Sequence, residues 1–206
     1  MATTNDTGPL IVFEGIDGAG KSTQAKLLAE RLEQAGFEVV RTREPTDGTY
    51  GRRLRESAAC GRLSPTEELE LFVLDRKQHV RDEIAPALAA GKAVIVDRYF
   101  LSTAAYQGAR GLDPEAIMTA NEAFAPIPTV AVLLQTGVAG GRERIRQRGD
   151  GEGNLFEREA ELRKVAKVFD SLDRPYIRRC DGRGTIEEVH QAIVELLADT
   201  PGLDSL

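Results

Sequence analysis

The chain has 206 residues, of which 41% are hydrophobic and 29% charged, which suits one globular domain with a sizeable core. Its net charge of −6 argues against binding to polymeric nucleic acid, because proteins that grip DNA or RNA usually carry a basic surface. The apolar runs at 10–13 and 93–96 are far shorter than the roughly 20 residues that cross a bilayer, so we expect no membrane partner.

The first half of the chain alternates apolar runs with stretches of helical periodicity. In chain order it predicts a strand over 10–14, a glycine-rich turn, a helix to about 35, a strand over 37–41, a polar loop over 42–51, a helix from 64 to about 91 and a strand over 92–97. The long helix has the clearest start, because Ser64 can cap it and Glu67 can bond back to the cap.

The second half continues the same alternation. It predicts a helix opening at 113–114, a strand over 129–134, a helix over 137–148, a glycine-rich break over 149–154, a helix over 156–172, a strand over 176–180 and a terminal helix opened by a capping box at Thr185 and Glu188. Strands that alternate with helices indicate one α/β domain over 1–206, with a parallel five-stranded sheet flanked by helices on both faces. Ligands of such sheets bind beyond the carboxyl ends of the strands.

The ends and the cysteines fit an intracellular protein. Residues 1–8 are polar and do not resemble a signal peptide, so they predict a disordered tail. Cys60 and Cys180 lack the spacing of a metal site, and we expect two reduced thiols in a cytoplasmic protein. His79 and His190 are isolated in the sequence, and neither is assigned a catalytic or metal role.

A phosphate-binding loop follows the first predicted strand and opens the first predicted helix. Residues 15–22 match G-x-x-x-x-G-K-[ST] in full. Glycines allow the backbone N–H groups to turn toward an anion, and the helix N-terminus favours negative charge. Lys21 can reach the β- and γ-phosphates of ATP, and the Ser22 hydroxyl can hold Mg²⁺. The predicted ATP-binding residues are Gly15, Ile16, Asp17, Gly18, Ala19, Gly20, Lys21, Ser22 and Thr23.

This loop does not by itself name a reaction. GTPases, ATPases, DNA-partition proteins and small-molecule kinases all use it. A guanine-reading N-K-x-D is absent from the sequence, which disfavours a GTPase. At the end of the strand over 92–97, Asp97 can orient Mg²⁺ through its water shell and Arg98 can clamp a phosphate. A DNA-partition ATPase lacks an acceptor site such as Arg76 with Arg98, so these two arginines favour a kinase.

Further motifs resemble the thymidylate kinase family of P-loop nucleoside monophosphate kinases. The sequence Asp97-Arg98-Tyr99 is followed by Ser102, Ala105, Tyr106, Gln107 and Gly108, residues 42–45 read T-R-E-P, and Phe72 precedes Arg76 by four. The resemblance covers about residues 10–198. It implies transfer of the γ-phosphate of ATP to dTMP, directly and in line, with Mg²⁺ held by Ser22 and Asp97, and it implies a homodimer.

The resemblance also implies roles for individual residues. On the acceptor side, Phe72 stacks on the base and Arg76 donates to a base carbonyl. Thr103 and Gln107 complete the base and sugar contacts, and Tyr106 packs on the deoxyribose. Arg55 and Arg98 bind the acceptor phosphate. Catalysis is assigned to Lys21, Arg98, Asp17, Glu44 and a lid arginine. The residues alone also allow plainer interpretations. Periodicity favours Phe72 as a core residue, Thr103 and Gln107 resemble surface residues, and a buried Arg76 requires a partner.

The predicted lid, about residues 149–156, departs from the family pattern. Leu155 stands where bacterial relatives usually have an arginine, and the phosphate loop lacks the arginine that other members carry there. Arg148 is the preferred substitute, with Arg146 and Arg158 as alternatives. Two other hypotheses therefore remain: a related kinase with another acceptor, such as dUMP, or a degenerate homologue that binds ATP with little turnover.

Overall fold

A five-stranded, wholly parallel sheet forms the centre of the fold. The structure, a computed structural model, describes residues 7–137 and 155–203, with only the backbone described at 58–60 and 155–158. The strands are β1 (Leu10–Glu14), β2 (Val39–Arg43), β3 (Ala93–Asp97), β4 (Val130–Gln135) and β5 (Ile177–Asp181). Their order in the sheet is β2-β3-β1-β4-β5. The predicted α/β class is confirmed, with strand boundaries shifted by one or two residues.

Helices cover both faces of this sheet. The described helices are α1 (Lys21–Gln34), α2 (Thr49–Cys60), α3 (Pro65–His79), α4 (Ala85–Ala89), α5 (Phe100–Gly108), α6 (Pro114–Glu122), α7 (Leu155–Ser171) and α8 (Ile186–Leu197). Every residue of β1 is buried. Because successive side chains of a strand point to opposite faces, both faces of β1 are covered. Tyr99 and Phe100 are fully buried, as expected of core residues.

Two helical segments differ from the sequence prediction. Residues 49–51, predicted as the end of a polar loop, begin α2, which packs against α3. Gly51 allows the first turn of α2 to lie against the preceding loop, because a Cβ there would lie 1.9 Å from the carbonyl oxygen of Thr46. The helix predicted from 64 to 91 is continuous but contains a π-helical turn, Val80–Ile84, between α3 and α4. Helix α5 was not predicted, because its residues are buried all round and show no amphipathic period.

Several expectations fall outside the described residues. Residues 1–6 and 138–154 are not described, so the predicted helix over 137–148 and Arg148 remain predictions, as does most of the proposed lid. The last two residues of the predicted lid, Leu155 and Phe156, form the start of α7, where only the backbone is described. Gly8 is hydrogen-bonded to the carbonyl oxygen of Leu88 through its N–H, at 2.9 Å, so the predicted tail does not extend to this residue. Within the described ranges, no helix is long and apolar enough to cross a membrane.

Both predicted capping boxes are confirmed. At α3, the Glu67 N–H donates to the Ser64 hydroxyl, and the Ser64 N–H donates to the Glu67 carboxylate at 2.9 Å. At α8, the Glu188 N–H donates to Thr185 Oγ1 at 3.2 Å, and the Thr185 N–H donates to Glu188 Oε2 at 2.8 Å. These reciprocal bonds satisfy donors that a helix start leaves free.

We predict that Thr185→Ala lowers the free energy of unfolding by about 1 kcal/mol, because it leaves the first turn of α8 without its side-chain acceptor. Urea denaturation followed by circular dichroism would measure the change. Thr185→Ser, which keeps the hydroxyl, is the matched control. Equal stability of the alanine variant and the wild type would contradict the capping assignment.

Candidate active site

The phosphate loop connects the end of β1 to the start of α1. Gly15, Gly18 and Gly20 have φ angles of 138°, 79° and 95°, a region that side chains disfavour, which explains the glycines of the motif. Lys21 is buried, and its ammonium donates to the carbonyl oxygens of Gly15 at 3.1 Å and Ile16 at 2.8 Å. Burial, assisted by the positive charge of Arg98, lowers the pKa of Lys21 to about 7. A phosphate would stabilise the charged form of this lysine.

Three chain segments meet in front of this loop. The backbone brings them together at the carboxyl ends of the strands, where the Glu44 N–H donates to the Asp97 carbonyl oxygen at 3.1 Å and the Arg98 N–H donates to that of Phe13 at 2.9 Å. The cavity between them has a volume of about 210 Å³, and its lining residues are Asp17, Gly18, Gly20, Lys21, Ser22, Arg43, Glu44, Asp97 and Arg98. Arg43 was not singled out from the sequence, although it lies in the T-R-E-P segment.

Ser22 and Asp97 form the candidate magnesium site. The exposed Ser22 hydroxyl donates a short hydrogen bond to Asp97 Oδ2, so the two oxygens predicted to serve one cation are adjacent. Among the described residues, no group of three or more His, Cys, Asp and Glu side chains could hold a metal ion. Magnesium in phosphoryl-transfer sites commonly uses one or two protein oxygens together with phosphates and water, and this pair fits that pattern.

Arg98 bridges the phosphate loop and α5. Its guanidinium donates to Asp17 Oδ1 at 2.5 Å and to Ser102 Oγ at 3.1 Å, and its Cζ lies 5.2 Å from the centre of the Tyr106 ring. Burial acts to raise the pKa of Asp17, but Arg98 and Lys21 lower it overall, so Asp17 is ionised beside them. Arg98 has a φ of 71°, which is disfavoured outside glycine and is maintained by these contacts.

A buried ionic network holds the acceptor side. Arg76 is fully buried, and its guanidinium donates to Glu44 Oε2 at 2.5 Å, to Thr103 Oγ1 at 3.0 Å and to Asn121 Oδ1 at 2.6 Å. The partner that a buried Arg76 requires is therefore Glu44, and the neutral oxygens of Thr103 and Asn121 complete its contacts. Its Nε has no hydrogen-bond partner and is also buried. Asn121, which the sequence analysis did not identify, has its amide oriented by donation from Nδ2 to the Ile117 carbonyl oxygen at 2.8 Å.

Glu44 has a second partner in His79. The ring Nδ1 of His79 lies 3.1 Å from Glu44 Oε1, and its Nε2 lies 3.2 Å from Glu83 Oε2. His79 received no role from the sequence because a single histidine on a helix has no distinguishing pattern. Glu44 lines the cavity of about 210 Å³, whereas His79 does not. His79 therefore orients the Glu44 carboxylate rather than facing the cavity.

The remaining predicted acceptor residues occupy different environments. Phe72 is half-buried and does not belong to the core cluster or to the residues packed against it, so the expectation from periodicity is wrong. Tyr106 packs edge-on against Phe169, with the ring centres 6.5 Å apart. Arg55 is partly exposed and donates to Asp47 Oδ1 at 2.9 Å and to the Pro45 carbonyl oxygen at 3.0 Å. Its assignment to the acceptor phosphate stays a prediction.

Thr103 and Gln107 are buried, contrary to the plainer interpretation of them as surface residues. The amide of Gln107 donates to Glu68 Oε2 at 3.0 Å, and Arg110 donates to the same oxygen at 2.5 Å. The side-chain amide of Gln107 is thus fixed by Glu68 of α3. Arg148, the predicted lid arginine, lies outside the described residues.

Comparison with known proteins agrees with this arrangement. The chain matches the family model for thymidylate kinase over residues 13–193. It is 51% identical over 191 residues to a thymidylate kinase of Akkermansia muciniphila, covering 93% of this chain and 92% of that protein. It is 48% identical over 192 residues to one of Desulfotalea psychrophila, covering 93% and 95%. A thymidylate kinase of Xanthomonas campestris pv. campestris is 47% identical over 196 residues, covering 93% and 86%. Since both the family match and these relatives extend over most of its length, the chain belongs to the thymidylate kinase family.

Proposed function

We propose that this protein is an enzyme that transfers the γ-phosphate of ATP to dTMP, yielding ADP and dTDP. The main support is that the phosphate loop and Arg76 are connected through residues that line one cavity. Arg98 contacts the phosphate loop through Asp17, and Glu44 lines the same cavity while binding Arg76. A donor phosphate at the loop and an acceptor near Arg76 would therefore meet in one polar cavity. The names of the relatives agree with thymidylate as the acceptor.

The donor half suits ATP with Mg²⁺. The backbone N–H groups of the phosphate loop and the N-terminus of α1 provide donors for the β- and γ-phosphates. The Lys21 ammonium, which now donates to two loop carbonyls, can turn to these phosphates. Ser22 and Asp97 would hold Mg²⁺ directly or through water. When bound, this ion would offset the negative charge of the triphosphate.

The acceptor half suits a pyrimidine nucleotide. Phe72 has an accessible ring on which a base can stack. The Nε–H of Arg76 is a buried donor without a protein partner, and a base carbonyl would satisfy it. Tyr106 would pack on the deoxyribose, while Arg55 and Arg98 would bind the acceptor phosphate with charge-assisted bonds. Thr103, Gln107 and Asp17 would complete the sugar and base contacts.

The transfer itself needs little covalent chemistry from the protein. An oxygen of the acceptor phosphate attacks the γ-phosphorus, the bond to the β-phosphate oxygen breaks, and ADP leaves. Lys21 and Arg98 stabilise the charge on the moving phosphoryl group, and Glu44 keeps Arg76 and the acceptor in line. We assign the third cation of the closed site to Arg148. Dimerisation with a second copy and a cytoplasmic location are also part of this proposal.

The direct test is a coupled assay of ADP release with ATP and Mg²⁺ against dTMP, dUMP, UMP, dCMP, dAMP and dGMP. We expect the highest kcat/KM with dTMP. A preference for dUMP would keep the kinase and change its acceptor. ATP binding without turnover on any nucleotide in the panel would refute the proposed function and favour the degenerate homologue.

We predict that Lys21→Ala lowers kcat by at least about 100-fold, because it removes a buried positive charge from the moving phosphoryl group. Steady-state kinetics with dTMP would measure the loss. Lys26→Ala is the matched control, since Lys26 lies on the same helix with 64% of its side chain exposed and forms a surface ion pair with Glu30. A Lys21→Ala variant with near-normal kcat would exclude the loop as the donor site.

We predict that Phe72→Ala raises the KM for dTMP by about 5- to 100-fold while the KM for ATP is unchanged, because stacking of a base on an aromatic ring contributes about 1–3 kcal/mol. Phe72 is the better test residue than Arg76. Replacing Arg76 by alanine would leave the buried Glu44 without its guanidinium partner and destabilise the fold by about 3–5 kcal/mol. Leu74→Ala, on the exposed side of α3, is the control. Equal KM values for dTMP in the Phe72 and Leu74 variants would disprove the stacking role.

A further inference from the structure

Glu14 is a buried acid that the proposed chemistry does not use. It is the last residue of β1, directly before the phosphate loop, and it is fully buried. Its Oε1 accepts from the N–H of Tyr99 at 2.8 Å and from the N–H of Ser102 at 3.1 Å. Its Oε2 accepts a short hydrogen bond from the Ser102 hydroxyl. A buried carboxylate with three donors is a built arrangement, since burial without them would be costly.

The two backbone bonds make Glu14 the N-terminal cap of α5. Tyr99, the N-cap residue of α5, provides no side-chain cap of its own. The N–H groups of the N-cap and of the third helical residue are the pair that a capping box satisfies. Here both are satisfied by a residue from β1 that is more than 80 positions away in sequence. Glu14 therefore attaches α5, which carries Thr103, Tyr106 and Gln107, to the strand that leads into the phosphate loop.

The third bond sets the direction of a hydrogen-bond chain. An ionised carboxylate only accepts, so the single hydrogen of the Ser102 hydroxyl points to Glu14. The lone pairs of that hydroxyl then face Arg98, whose Nη1 lies 3.1 Å from Ser102 Oγ. The other end of the guanidinium donates to Asp17 in the phosphate loop. Glu14, Ser102, Arg98 and Asp17 thus form a chain that starts and ends beside the same loop.

We propose that Glu14 is a positioning residue for phosphoryl transfer, which through Ser102 holds the guanidinium of Arg98 in place beside the phosphate loop. This inference rests on the proposed function for its kinetic consequence, but the hydrogen-bond chain exists without nucleotide. Arg98 needs such support, because its φ of 71° is disfavoured and persists only when its surroundings hold it. The Glu14 bond to the N–H of Tyr99 fixes the peptide that follows Arg98, and the bond to Ser102 fixes its side chain.

The charges around Glu14 agree with this role. Burial raises the pKa of Glu14 to about 7, whereas the Ser102 hydroxyl, Arg98 and the two backbone N–H groups act to lower it. Each of these lowering groups is a member of the proposed arrangement. These groups favour the ionised carboxylate that the hydrogen-bond chain requires, and this form predominates above a pH of about 7.

The variant Glu14→Gln tests the hydrogen-bond chain through Ser102 while it keeps the cap of α5. The glutamine carbonyl can still accept from both backbone N–H groups, but its NH₂ would face Ser102 Oγ as a donor. The Ser102 hydroxyl would then accept from the amide and turn its hydrogen toward Arg98, which cannot accept it. We expect kcat with dTMP to fall about 10- to 100-fold, as is typical when a partner that orients a charged ligand is lost, with the KM for ATP unchanged.

Ser102→Ala and the double variant show whether the two residues act together. Ser102→Ala removes the hydroxyl and keeps both backbone bonds to Glu14, so it tests the chain even if Glu14→Gln does not fold. If Glu14 acts through Ser102, Glu14→Gln with Ser102→Ala should lose no more activity than Ser102→Ala alone. Losses that multiply would overturn the proposed route through Ser102.

A readout without nucleotide distinguishes this inference from the proposed function. In the wild-type protein the guanidinium ¹⁵N–¹H signals of Arg98, assigned by their loss in Arg98→Lys, should be resolved and slow to exchange, and Glu14→Gln should broaden or shift them. Thr185→Ala, which removes the cap of α8 and leaves α5 and its contacts with Glu14 unchanged, serves as the control for lost capping. It should lower the Tm and leave kcat and these signals unchanged.

Two results would overturn the proposal. One is a Glu14→Gln variant that behaves as Thr185→Ala does, with a lower Tm but normal kcat and normal Arg98 signals, which would make Glu14 only a helix cap. The other is a Ser102→Ala variant with wild-type kcat and wild-type signals. A wild-type protein that does not phosphorylate dTMP would refute the proposed function, and the Arg98 signals would still decide the positioning role.

Discussion

The buried ion pair between Arg76 and Glu44 is the contact on which the acceptor half of the site depends. Neither charge is stable inside the protein without the other, and the 2.5 Å bond between them joins the end of β2 to α3. Thr103 from α5 and Asn121 from α6 complete the partners of Arg76. Four elements distant in sequence are thereby fixed around one guanidinium, and the pair must stay intact for the proposed base-binding side to keep its shape.

A second buried carboxylate, Glu14, has the corresponding position on the donor side. It connects β1 to α5 through the N–H groups of Tyr99 and Ser102, and Arg98 continues the connection back to Asp17. Glu14 ends β1 and Glu44 directly follows β2, so the parallel sheet brings both acids to the same edge. The site is therefore two ionic clusters that face one cavity between them. This organisation suits a reaction whose catalysis is mainly positioning and charge stabilisation.

The departure from the family pattern at Leu155 concerns a separate part of the site. Arg98 and Lys21 already provide two positive charges at the phosphate loop, and Arg43 lines the same cavity. An arginine from the lid would therefore add a third or fourth positive charge to a cavity that already contains Lys21, Arg98 and Arg43. Membership of the thymidylate kinase family over residues 13–193 and the intact loop and acceptor residues agree with an active enzyme.

The sequence by itself determined the five strands, the phosphate loop and both capping boxes, because each depends on residues close together in the chain. It also identified Arg76 as a buried charge in need of a partner. Tertiary structure alone decided that this partner is Glu44, that Phe72 lies outside the core, that α2 packs on α3, and that Glu14 caps a helix formed more than 80 residues later. These features depend on contacts between distant segments, and local periodicity carries no information about which segments the sheet brings together.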